Sequence, residues 1–159
     1  MKIARMGAIG LLTVALWFGA TPLAASAASP DDVDVDPRIA QLLEQNPGGI
    51  LIDGTHAVWP GLDMEVSVPR TGGFASRSVG GCTTGRICAY TGQLTGLTVS
   101  WGTCGTLAVP SGFVPRSLAN ARGSGYAQAR SSGGSVLGTA YAGGWSAVGG
   151  TATTVRCVF

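Results

Sequence analysis

Four cysteines, one histidine and a close pair of carboxylates are the side chains in this 159-residue chain whose types and spacing could do chemistry. Cys82 and Cys88 flank the glycine turn of "GGCTTGRICAYTGQLTG", residues 80–96, and Cys104 and Cys157 follow. Such a set can bind a metal, exchange thiols, or crosslink a small β-domain. Zinc wants four converging ligands, and the lone histidine, His56, stands upstream with no Cys-x2-Cys spacing to join. Redox pairs take Cys-x-x-Cys at a helix start, whereas here five residues intervene in a turn-to-strand pattern. The spacing favours crosslinks, with no metal and no cofactor. Sequential pairing, Cys82 with Cys88 and Cys104 with Cys157, is the preferred choice among three connectivities.

Acid–base chemistry finds little material. His56 precedes Val58 in an alternating segment and reads as a partly exposed strand residue. Asp63 and Glu65 could mimic a carboxylate pair, but the simpler reading has Asp63 bonding its turn and Glu65 facing water. No Gly-x-Ser-x-Gly elbow occurs. The "GSG" and "SSGG" stretches read as hairpin turns, since no helix follows to supply an anion-binding end. No catalytic residue is assigned, and the chain reads as a non-enzyme.

The elements that would carry these residues begin after a leader. Residues 1–27 combine a basic start, an apolar run and "ASA", the pattern of a secretory signal peptide cleaved after Ala27. The apolar run falls short of the roughly 20 residues of a membrane span, so the mature chain is expected to be secreted with no span. Paired cysteines suit that compartment. Residues 28–36 form an acidic lead-in expected to be disordered. Residues 37–69 read as one short helix and a β-meander. Asp36 caps the helix, Pro37 opens it, and Ile39, Leu42 and Leu43 share a face. "ILID", "HAVW" and "MEVSVP" then supply strands. A Gly/Ser joint is expected over 70–81.

Beyond it, residues 82–159 break into short Val-, Thr- and aromatic-rich segments set off by Gly, Ser or Pro turns, the pattern of an all-β sandwich or Greek key. Leu97, Val99 and Trp101 alternate onto one face, as do Val155, Cys157 and Phe159. So glycine-rich a domain needs its staples. Charge is just as unevenly placed. All eight carboxylates lie within residues 31–65, while Arg70, Arg77, Arg86, Arg116, Arg122, Arg130 and Arg156 come later. These arginines meet no carboxylate within their own half, which favours an anionic partner.

The cysteine-rich stretch resembles the secreted peptidase-inhibitor family thirty-six of actinobacteria. The matching residues are Cys82, Gly85, Cys88, Tyr90, Gly96, Trp101 and Cys104, with "PRSLANARG" at 115–123 similar to the family's Ser-x-x-Asn turn. The upstream helix and meander resemble the region that often precedes this domain. Leu94 stands where family members carry an aromatic, and the Asx and Ser/Thr residues of a crystallin-type calcium site are missing. The resemblance implies a mainly β, βγ-crystallin-like Greek-key sandwich and a role in blocking an extracellular protease, metalloproteases favoured. Candidate contacts are Arg116, Arg122 and Trp145, the last in the loop "AGGWSAVGG" or in the core. The alternative is a module that binds an anionic cell-envelope polymer or glycan. A weaker third reading is a small secreted antagonist. Nucleic acid is disfavoured by export and by the absence of basic-aromatic interleaving.

Overall fold

Asp36 and Pro37 set the start of the first helix. In the computed structural model, which describes residues 34–69 and 79–159, helix α1 spans Pro37–Gln45. The Asp36 carboxylate accepts from the Arg38 backbone N–H at 2.9 Å and pairs with the Arg38 guanidinium at 2.7 Å. That guanidinium holds the Asp36 carboxyl below the usual carboxylate range. Ile39 and Leu42 are buried, and Leu43 packs beside them. Part of the expected disordered lead-in is therefore structural: Val35 packs against the core and the Asp36 N–H donates to the Gly54 carbonyl at 2.7 Å. The signal peptide, residues 28–33 of the lead-in, residues 70–78 of the joint, Arg70 and Arg77 lie outside the described residues.

Strands β1 (Ile50–Asp53), β2 (His56–Trp59) and β3 (Met64–Ser67) form the meander, with a 3-10 turn at Pro60–Leu62. The later strands are β4 (Ile87–Tyr90), β5 (Thr98–Trp101), β6 (Thr106–Ala108), β7 (Ser117–Asn120), β8 (Tyr126–Arg130), β9 (Val136–Tyr141), β10 (Gly144–Ala147) and β11 (Thr154–Val158). Among the described residues they make two antiparallel sheets, ordered β1-β2-β3-β5-β4-β7-β10 and β6-β11-β8-β9.

The meander does not stand apart from the cysteine-containing half. β3 pairs with β5 from Met64 opposite Trp101 to Ser67 opposite Thr98, and the described residues 34–69 and 79–159 fall in one compact unit. The expected division at 70–81 thus separates stretches of sequence that share one sheet. At its described end, Val79 bridges Cys82 across a Gly80–Gly81 turn.

Alternation sorts the side chains. Trp59, Met64, Val66, Ile87, Val99, Trp101 and Leu118 from the large sheet meet Leu107, Ala127, Ala129, Ala140 and Val155 from the small one in a single core cluster. Phe159 breaks its alternation and is exposed. β4 and β7 are buried on both faces, because a second cluster of Cys82, Cys88, Tyr90, Ala119 and Ala121 covers their outer side. Asn46 clamps the helix end to the far half: its side chain donates to the Ser111 carbonyl at 3.1 Å and accepts from the Ser111 N–H at 2.9 Å.

Candidate functional site

Residues 79–96 form a cage on the outer face of β4 and β7. Cys82 bonds Cys88, and both are buried. The Tyr90 hydroxyl donates to the Val79 carbonyl at 3.2 Å, and burial pushes its pKa up to about 12. Leu94 packs against this cluster from a left-handed backbone with φ 55°, so an aliphatic side chain occupies the place where the family resemblance puts an aromatic one. Gly80 makes room for it, since a Cβ there would sit 2.7 Å from the Leu94 side chain. Ser117 closes the cage. Its hydroxyl accepts from the Leu94 N–H at 2.9 Å and donates to the Gly92 carbonyl at 2.8 Å. The second bridge, Cys104 to Cys157, ties β11 to the loop before β6, and the Cys157 N–H adds a bond to the Gly105 carbonyl at 2.7 Å.

The three candidate contact residues are not brought together. Arg116 precedes β7 and is exposed, Arg122 follows it, and Trp145 pairs with Ala119 between them. Six residues of extended chain part the two arginines by roughly 20 Å. Arg122 is engaged internally: Nε donates to the Gly85 carbonyl at 3.0 Å, Nη2 reaches the Gly102 carbonyl, and the guanidinium lies 5.0 Å from the Phe159 ring centroid. It holds loops together. Trp145 is on a strand rather than in a loop or the core, and is 42 % exposed.

Arg86 corrects the charge reading. Its Nη1 lies 3.4 Å from Asp63 and 3.5 Å from Glu65, and Nε donates to the Ser100 hydroxyl at 3.1 Å. The two carboxylates therefore converge on an arginine from the other half of the chain. Asp63, left-handed at φ 43°, does not spend its carboxylate on its own turn, and glycine at 102 leaves space for it. His56 lines a shallow hollow with Asp53, Thr55, Glu65 and Ser67. There Asp53 Oδ1 accepts from the Thr55 N–H and hydroxyl, both at 2.8 Å. Among the described residues no group of three or more His, Cys, Asp or Glu could hold a metal ion.

Two surfaces escaped the sequence reading. A groove of about 520 Å³ runs between the Pro60–Leu62 turn and β6, lined by Leu62, Trp101, Thr103, Cys104, Thr106 and Leu107. Asp63, already paired with Arg86, is the ionisable group on its wall. The other surface is β1, at the edge of the large sheet, whose Ile50, Leu51 and Ile52 are all exposed, at 53 %, 38 % and 56 %. An apolar run bounded by Pro-Gly-Gly and Asp-Gly signals a strand, but only sheet order shows that it lies at an edge.

Against this geometry, no protein-family profile, curated protein or solved structure matches the chain.

Proposed function

We propose that the protein is a secreted, non-catalytic binder that blocks an extracellular peptidase, a metallopeptidase by preference, as its resemblance to family thirty-six inhibitors with βγ-crystallin-like domains implies. Two disulfides belong with an oxidising compartment. The observation that carries the reading is the β1 edge. Peptidase clefts take their ligands as extended strands, by main-chain hydrogen bonding with side chains in alternate pockets. β1 offers an extended segment with one edge unpaired among the described residues, apolar side chains outward, and a disulfide-stapled sheet behind it. A strand held this way loses little entropy on docking. Its four-residue length and the register shift between Leu51 and Asp53 limit pairing with long sheet edges while leaving a short cleft accessible.

The test is residues 28–159 assayed against a panel of secreted metallo- and serine peptidases. Slowed hydrolysis at micromolar protein is expected for at least one of them. The exposed double substitution Ile50→Lys with Ile52→Lys should relieve it by about tenfold or more, with the melting temperature unchanged. A panel in which no peptidase is slowed refutes the reading.

A further inference from the structure

The outer face of the small sheet carries a second arrangement, independent of the peptidase reading. Strand register sets three rows across it. Tyr141, Tyr126 and Val158 form the first; Thr139, Gln128, Arg156 and Thr106 the second; Arg130 and Thr154 lie in the third. Rows two residues apart on a strand are separated by roughly 7 Å. The inward positions between them are Ala127, Ala129, Val155 and Cys157, all buried, so these side chains share the solvent side.

Each row has a distinct chemistry. The two tyrosine rings meet edge to face at 6.4 Å, with Tyr141 70 % exposed. Gln128 Oε1 accepts from Arg130 Nη2 at 2.7 Å and Nε at 3.3 Å, and its Nε2 donates to the Thr139 hydroxyl at 3.5 Å. The Arg130 guanidinium is thereby oriented with donors to spare. Arg156 stands opposite Gln128, exposed, and among the described residues no hydrogen bond or ion pair engages its side chain. No carboxylate side chain follows Glu65 in the sequence, so the strands of this sheet bring none to the face.

A merely solvated face would account for one arginine, and a cross-strand tyrosine pair stabilises a sheet without any ligand. What it leaves unexplained is the combination: an exposed ring, an amide–hydroxyl relay and two guanidinium groups lacking acidic partners, on one face of one sheet. We infer that this face binds a polysaccharide bearing carboxylate groups, a polyuronate. A ring with an apolar face and a polar tip suits the C–H side of a sugar. Amide and hydroxyl groups suit its hydroxyls, and the planar guanidinium fork matches a carboxylate bidentately. Two arginines are few for a nucleic acid, whose affinity rests on many phosphate contacts.

Affinity electrophoresis of residues 28–159 through gels containing polygalacturonate, uncharged dextran or no polymer, with an oligonucleotide shift assay alongside, tests the inference. Retardation by polygalacturonate alone is expected, weakening as salt rises. Arg130→Gln with Arg156→Gln, and separately Tyr141→Ala, should each weaken it by about tenfold, while any peptidase inhibition stays unchanged and loss of the tyrosine pair lowers the melting temperature by only about a few degrees. The inference is overturned if polygalacturonate does not retard the protein, if retardation survives these substitutions, or if the oligonucleotide is bound more tightly. Because β1 lies in the other sheet, loss of inhibition on β1 substitution leaves this result unaffected, and the converse holds.

Discussion

Ser117 is fully buried, and its hydroxyl satisfies both a backbone donor, Leu94 N–H, and a backbone acceptor, Gly92 carbonyl, in the turn that carries the strained leucine. Removing the hydroxyl leaves two half-buried backbone groups without this partner, a cost of about 1–3 kcal/mol. Ser117→Ala is therefore expected to shift the urea midpoint by that amount, and a loss below half a kilocalorie would show that solvent reaches the turn. At this scale the sequence was partly legible. Ser117 and Asn120 stood out only through the resemblance, since a serine in a Ser- and Gly-rich chain carries no local mark of burial. Arg86 was misread for a different reason: its carboxylates lie just before β3 and within it, brought alongside by pairing of β3 with β5, and charge counted along a chain does not see that pairing.

Among the elements, those with a clean period or a cap could be read in advance. Helix α1 announced itself through Asp36, Pro37 and its apolar face. β5 and β11 announced themselves through alternation, and β10 did not, because "GWSA" has one large side chain among small ones and takes its order from pairing with β7. The two crosslinks join cysteines in sequential order, and they should differ in weight. Cys82–Cys88 closes a loop of separation 6 and Cys104–Cys157 one of separation 53. In the chain-entropy account these constrain the unfolded state by about 2 and about 4 kcal/mol. The paired variant Cys104→Ser with Cys157→Ser should consequently lose roughly twice the stability of Cys82→Ser with Cys88→Ser. Chemical denaturation of the two variants checks this, and equal losses would mean that the buried packing around Cys82 and Cys88, rather than loop length, sets the contribution of the short bridge.

For the whole molecule the question is whether the meander is an accessory or part of the fold. Ile39, Leu42, Trp59, Met64 and Val66 all belong to the main core cluster, and the Trp59 indole N–H donates to the Asn46 carbonyl at 2.8 Å, beside the Asn46 clamp on Ser111. Burying such side chains contributes about 1.5–3 kcal/mol each, so together they match the roughly 5–15 kcal/mol that holds a typical domain folded. Residues 79–159 alone would also expose the β5 edge that β3 covers. That fragment is expected to show no cooperative melt, and adding residues 34–69 as a separate chain should restore one. The intact protein should unfold in a single transition whose calorimetric and van't Hoff enthalpies agree. A fragment that melts cooperatively by itself, or two resolved transitions in the whole chain, would show that β1 and the polymer-facing sheet ride on separable bodies. The rigidity invoked for docking β1 would then have to come from the helix and meander alone.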